Sequence, residues 1–226
     1  MKKPVTQRMY PGEIPRPTVD LIVHSDQDAL IAGTPWGSGE ALKLLSDTVR
    51  EFLSISIGDQ ETTSPFAKLP GLSSLENNLR TAILIANDKI FQRCNKETYS
   101  SSCEALILHN QNSQVAWVQI GQPHILLLRK GKLFPLQVTV DLSVDFNVPS
   151  PLPSRLIGLE RAWDLEVRSL VLADEDSLIL LARSLIPPAF FNQKLSDDSP
   201  EKTIEILFEA AVADNPKAPF WVTLLK

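Results

Sequence analysis

Trp117-Val118-Gln119-Ile120-Gly121-Gln122-Pro123-His124-Ile125-Leu126-Leu127-Leu128-Arg129-Lys130-Gly131-Lys132-Leu133 is the stretch on which the fold turns. Its apolar runs are too short for helices and rich in β-branched and aliphatic residues. They are broken at Gln122-Pro123 and Lys130-Gly131, where a turn needs φ freedom or no N–H donor. The pattern predicts strands over Val115 to Ile120, Ile125 to Arg129 and Lys132 to Leu136. One more, Ala105 to Leu108, precedes them across His109-Asn110-Gln111-Asn112. Short connections of this kind make an antiparallel meander.

On the N-terminal side the period changes. Ala41, Leu42, Leu45, Val49, Phe52 and Leu53 follow helical spacing after Gly37-Ser38-Gly39, with Ser38 placed to cap and Glu40 in the first turn. Past a loop with Pro65, Pro70 and Gly71, the residues Leu75, Leu79, Ala82, Ile83, Ala86, Ile90 and Phe91 repeat at three and four, a second amphipathic helix. Thr18 to Val23 and Asp28 to Thr34 read as a hairpin about Ser25-Asp26-Gln27. Residues 1–17 carry Pro4, Pro11, Pro15 and Pro17 and read as an extended proline-rich arm, followed by a single domain over 18–226. On the C-terminal side, past Pro149, Pro151 and Pro153, strands are predicted over Leu165 to Leu172 and Ser177 to Ala182. A helix then starts at Ser199-Pro200-Glu201, and a closing strand runs from Phe220 to Leu225. Strands, paired helices, a meander, then helix and strand describe an α+β fold, a central antiparallel β-sandwich flanked by helices.

The 22 basic and 27 acidic side chains leave a net charge of −5, which opposes binding to a nucleic acid backbone or an anionic membrane. No apolar run is long enough to span a bilayer, and Met1-Lys2-Lys3-Pro4 opens no secretory signal, so a cytoplasmic protein is expected. Cys94 and Cys103 are too few for a disulfide framework and lack zinc-site spacing. His24-Ser25-Asp26-Gln27-Asp28 offers an imidazole and two carboxylates but reads as a solvated turn. Gly33 to Gly39 matches no phosphate-binding pattern. His109 and His124 have no identifiable triad partners, and Trp117, Trp163 and Trp221 read as core aromatics.

Taken in order, these pieces resemble the metal-dependent, type 2C-like (PPM) serine/threonine phosphatases over roughly residues 28–226. The stretch quoted first is similar to the family segment around Gly-Asp-Ser-Arg. Thr139-Val140-Asp141-Leu142-Ser143 is similar to Thr-x-Asp-His-Ser, and Leu156-Ile157-Gly158 to a family Leu-Gly. Glu175-Asp176-Ser177-Leu178-Ile179-Leu180-Leu181-Ala182-Arg183-Ser184-Leu185 tracks Gly-Asp-x-Leu-Leu-Leu-x-Ser-Asp-Gly-Leu. Ile31-Ala32-Gly33-Thr34-Pro35-Trp36-Gly37 falls where the family has Val-Ala-Asp-Gly-Met-Gly-Gly, Gly39-Glu40-Ala41 continues that match, and Asn87 fits the second helix. Asp214-Asn215, with Thr223 displaced, resembles the last ligand motif.

The resemblance implies a β-sandwich whose carboxylates hold two divalent cations, between which a water becomes the nucleophile. Here the sequence departs from the family. The first ligand position is Gly33, followed by Thr34; the supporting acid is Gln122; the second ligand is Arg183; only Asp214 keeps its carboxylate. The substrate arginine has no secure counterpart, Arg16 being the nearest candidate. The implied function is a catalytically inactive pseudophosphatase with no cofactor and no metal, acting as a protein-interaction or regulatory module through a protein partner or its own copy. Arg183 is expected to pair with Asp214, and Arg183 and Trp36 are candidate phosphate or partner contacts. The alternatives are a divergent phosphatase with ligands drawn from Asp20, Asp26, Asp28 and Asp214, and a phosphoresidue-binding module.

Overall fold

The computed structural model describes residues 3–58, 66–139, 153, 155–161, 164–195 and 199–226. Most of the expected Thr139-to-Ser143 motif, Pro65 and Trp163 lie outside these residues. The fold is α+β, with two five-stranded antiparallel sheets and three α-helices among the described residues. Contacts divide the chain into two compact units. The first takes Val19–Gly121 and Ser154–Leu172, the second Lys2–Thr18, Gln122–Pro153 and Ala173–Lys226.

The first unit holds β2 (Asp20–His24), β3 (Ala29–Gly37), β4 (Ser101–Gln111), β5 (Gln114–Ile120) and β8 (Arg168–Val171), hydrogen-bonded in the order β2-β3-β4-β5-β8. Helices α1 (Glu40–Gly58) and α2 (Ser74–Ile90) cover one face. That face is set by period: Ala29, Ile31, Cys103, Ala105, Ile107, Ala116, Val118 and Ile120 point at Leu42, Leu45, Val49, Leu53, Leu79 and Ile83. Each of the larger aliphatics contributes about 1.5–3 kcal/mol by leaving water.

Helix α2 starts on a capping box. Ser73 Oγ accepts the Glu76 N–H at 3.3 Å, and the Glu76 carboxylate accepts the Ser73 N–H at 2.8 Å. Its buried Asn87 accepts the Gly158 N–H at 2.7 Å and donates to the Glu160 carbonyl at 2.9 Å, tying the loop after residue 153 to the helix. Gly37 must be glycine: φ is +82°, and a Cβ would sit 2.2 Å from the Ser100 carbonyl oxygen.

The second unit holds β1 (Pro4–Tyr10), β6 (His124–Arg129), β7 (Lys132–Gln137), β9 (Ser177–Ala182) and β10 (Phe220–Leu225), in the order β1-β10-β9-β6-β7. Helix α3 (Pro200–Asp214) lays Ile204, Leu207 and Ala211 on this sheet with Phe190, Phe220 and Val222. The expected arm is corrected here. Pro4–Tyr10 is an edge strand in register with β10, Arg8 opposite Val222 and Tyr10 opposite Phe220. Only Pro4 falls within it, at its first position, where a missing N–H costs a sheet nothing. Arg8 bonds Glu205 and lies over the Phe208 ring, and the Tyr10 hydroxyl donates to the Pro216 carbonyl at 2.8 Å. The strand expected over Leu165 to Leu172 is shorter, Arg168–Val171, and pairs with β5 from Gln114 to Trp117. Among the described residues no helix is long and apolar enough to cross a membrane.

Candidate functional site

Arg183 follows the last residue of β9, a strand buried along its whole length, whose burial carries the guanidinium inward with it. Its side chain is 2% exposed. One Nη donates to the Asp214 carboxylate at 2.9 Å and the other to the Ala211 carbonyl at 3.0 Å, both at the C-terminal end of α3. A cation there meets a carboxylate and the negative end of a helix dipole together. The structure thus brings together the two residues expected to pair. The Arg183 guanidinium is turned to the end of α3. Asp214, with a side chain 41% exposed, is the open member of the pair.

His124 supports Arg183 from β6. Its Nε2 donates to the Arg183 carbonyl at 2.7 Å, while Nδ1 accepts the Thr139 N–H at 3.1 Å, which fixes the neutral tautomer. Burial pushes its pKa down to about 4, with the Arg16 charge acting in the same direction. The sequence reading weighed His124 only for a triad; its work is to position the backbone of residue 183 and the end of β7. Gln122 is buried. Thr223 is buried in β10, its hydroxyl donating to the Thr6 carbonyl at 2.9 Å.

Gly33, Thr34 and Trp36 belong to the first unit, on β3. A Cβ at Gly33 would lie 2.3 Å from Leu42 Cδ1, so a side chain there points into the α1 layer. Thr34 projects from the opposite face, directly across from Glu104 on β4. Trp36 is half-buried, and its indole N–H donates to the Glu104 carboxylate at 3.1 Å. Gly121, at φ +67°, lies under that carboxylate, and a Cβ there would be 2.4 Å from it. Glu104, 1% exposed, is the residue the sequence reading missed. Its signal was a lone acid in the apolar run from Cys103 to Leu108.

The alternative ligands are dispersed. Asp20, Asp26 and Asp28 are exposed at β2 and the turn after it, and Asp28 adopts φ +48° to close that turn. His24 Nε2 lies 2.9 Å from Ser46 Oγ, and its pKa is lowered chiefly by burial. Among the described residues no group of three or more His, Cys, Asp or Glu side chains is placed to hold a metal ion. Cys94 and Cys103 are free, buried thiols, and burial raises the pKa of both. Arg129 forms a two-bonded pair with the buried Asp176, whose carboxylate also takes the Ala173 N–H at 2.7 Å.

No protein-family model matches the chain, and no curated protein matches it by sequence. Solved structures do. PppA, a key regulatory component of T6SS in Pseudomonas aeruginosa, superposes with a TM-score of 0.66 at 14% identity, covering 98% of this chain and 96% of that one. The PPM Ser-Thr phosphatase MsPP from Mycobacterium smegmatis, in complex with cacodylate, gives 0.65 at 13% identity and covers 99% of each chain. The catalytic domain of the phosphatase PstP in complex with 2 manganese ions gives 0.58 at 14% identity, covering 97% of this chain and 96% of that one. This chain therefore has the fold of the PPM-type, type 2C-like serine/threonine phosphatases.

Proposed function

We propose that this protein is a catalytically inactive type 2C-like pseudophosphatase, a cytoplasmic protein-interaction or regulatory module that works without metal. The observation that carries this reading is the Arg183–Asp214 pair. A pair of hard dications needs several anionic oxygen ligands, and their charge must be offset locally. The residues matching the ligand motifs are Gly33, Gln122, Arg183 and Asp214, a set with one carboxylate, and that carboxylate already accepts from a fixed cation. These residues do not fit two Mn²⁺ or Mg²⁺ ions, so no hydrolytic step is derived through them. Gly33 adds to the misfit, since a side chain at that position points at Leu42. A role in regulation agrees with PppA, whose own description is regulatory. The partner is a protein or a second copy of this chain.

The test is turnover of a phosphoester and of a phosphorylated peptide with saturating Mn²⁺ or Mg²⁺, wild type beside Asp214→Ala. Equal background rates are expected from the two. Metal-dependent turnover in the wild type that Asp214→Ala abolishes would establish the divergent-enzyme reading instead.

A further inference from the structure

We infer that the open edge of β1 is where a second copy of this chain docks, by antiparallel pairing of β1 with β1 about a two-fold axis at Gln7. The inference deepens the interaction-module reading and rests on it only for the purpose of the contact.

The two sheets end in four edge strands. Strand β8 has four residues and β2 five, and β7 carries Pro135, which has no N–H to give a neighbour. Strand β1 has seven, and its only protective devices, Pro4 and a bulge between Pro4 and Thr6, lie at its start. From Thr6 to Tyr10 the edge is regular.

The backbone alternation shows which groups are open. Lys3 and Lys226 exchange both N–H···O bonds at 2.9 Å. Counting back along β10 by twos, Leu224, Val222 and Phe220 also bond toward β1, so their partners Thr6, Arg8 and Tyr10 turn inward. Gln7 and Met9 then present their N–H and C=O groups to the open edge, as an added strand requires.

Self-pairing suits this strand. With Gln7 on the axis, Gln7 faces Gln7 and Val5 faces Met9 twice. Val5 and Met9 are 47% and 53% exposed, so each apolar side chain gains an apolar partner on the face away from α3. The one charge in the strand, Arg8, falls opposite Thr6 and is already neutralised by Glu205. Moving the axis by one residue to Arg8 would set two guanidiniums face to face. Symmetric association of identical patches is the commonest form of oligomer, and the charge pattern here selects one register of it.

The experiment is light scattering of the full chain across a range of concentrations, with two variants. The wild-type mass should double as concentration rises, and Met9→Lys should lose that doubling while keeping the wild-type circular dichroism. Gln7→Cys should form a disulfide-linked dimer under mild oxidation, because paired Cα atoms at this spacing, about 5.5 Å, lie within disulfide reach. Ser25→Cys, at an exposed turn of the other unit, should not, and the buried Cys94 and Cys103 stay out of the reaction. A monomer at every concentration, or a dimer in which Gln7→Cys cross-links no better than Ser25→Cys, overturns the proposal. A monomer without metal-dependent turnover ends this inference alone; a dimer with such turnover ends the pseudophosphatase reading alone.

Discussion

At Asp214 one carboxylate separates two chemistries. With other acids around it, it would be a ligand; with Arg183 at 2.9 Å, it is half of an ion pair whose cation is almost wholly buried. Removing the acid takes from that guanidinium the carboxylate it meets at 2.9 Å and keeps its bond to the Ala211 carbonyl. Asp214→Ala is therefore expected to lower unfolding free energy by about 1–3 kcal/mol, toward the low end because the carboxylate is partly exposed. Urea unfolding of the two proteins measures it. Asp214→Asn, which keeps the hydrogen-bond acceptor and drops the charge, should recover part of the loss. An unchanged midpoint in Asp214→Ala would show that the pair holds nothing.

Among the elements, α2 carries the most local instruction. Its capping box satisfies backbone N–H groups that the first turn of a helix leaves open, and its last turns hold the incoming loop through Asn87. Ser73→Ala removes the acceptor for the Glu76 N–H and should cost about 1 kcal/mol, seen as a fall of about 2–4 °C in Tm for a chain of this size. Ser73→Asp keeps an acceptor and should stay near the wild type. Edge strand β1 is the opposite kind of element. Its sequence, with a proline at its head and the consecutive polar residues Thr6, Gln7 and Arg8, makes a strand only where β10 supplies the ladder.

For the molecule as a whole, the histidines lean one way. His124 has a pKa of about 4 when folded and about 6.5 when unfolded, so the unfolded chain binds the extra proton between those values. Its contribution is complete above pH 6.5 and is lost as pH falls toward 4, up to about 3 kcal/mol. His24 and His109 are lowered by burial and act in the same sense. The urea midpoint should fall between pH 7 and pH 4.5, and His124→Gln should flatten that dependence. An equal slope in the variant would relocate the effect to other groups.

Most of the architecture was legible in the chain. Period two in residues 105–136 and period 3.6 in α1 and α2 report which side of each element meets apolar neighbours, and that information is local. The identities Gly33, Gln122 and Arg183, on which the proposed inactivity rests, are read from the chain alone. What only the tertiary structure decided are contacts between residues far apart in sequence. His124 meets Arg183 across 59 residues and Trp36 meets Glu104 across 68. The chain reading of Pro4–Tyr10 as an arm failed for that reason, because its partner strand begins at Phe220. Local pattern states what a segment can bury, whereas pairing depends on which distant segment arrives beside it.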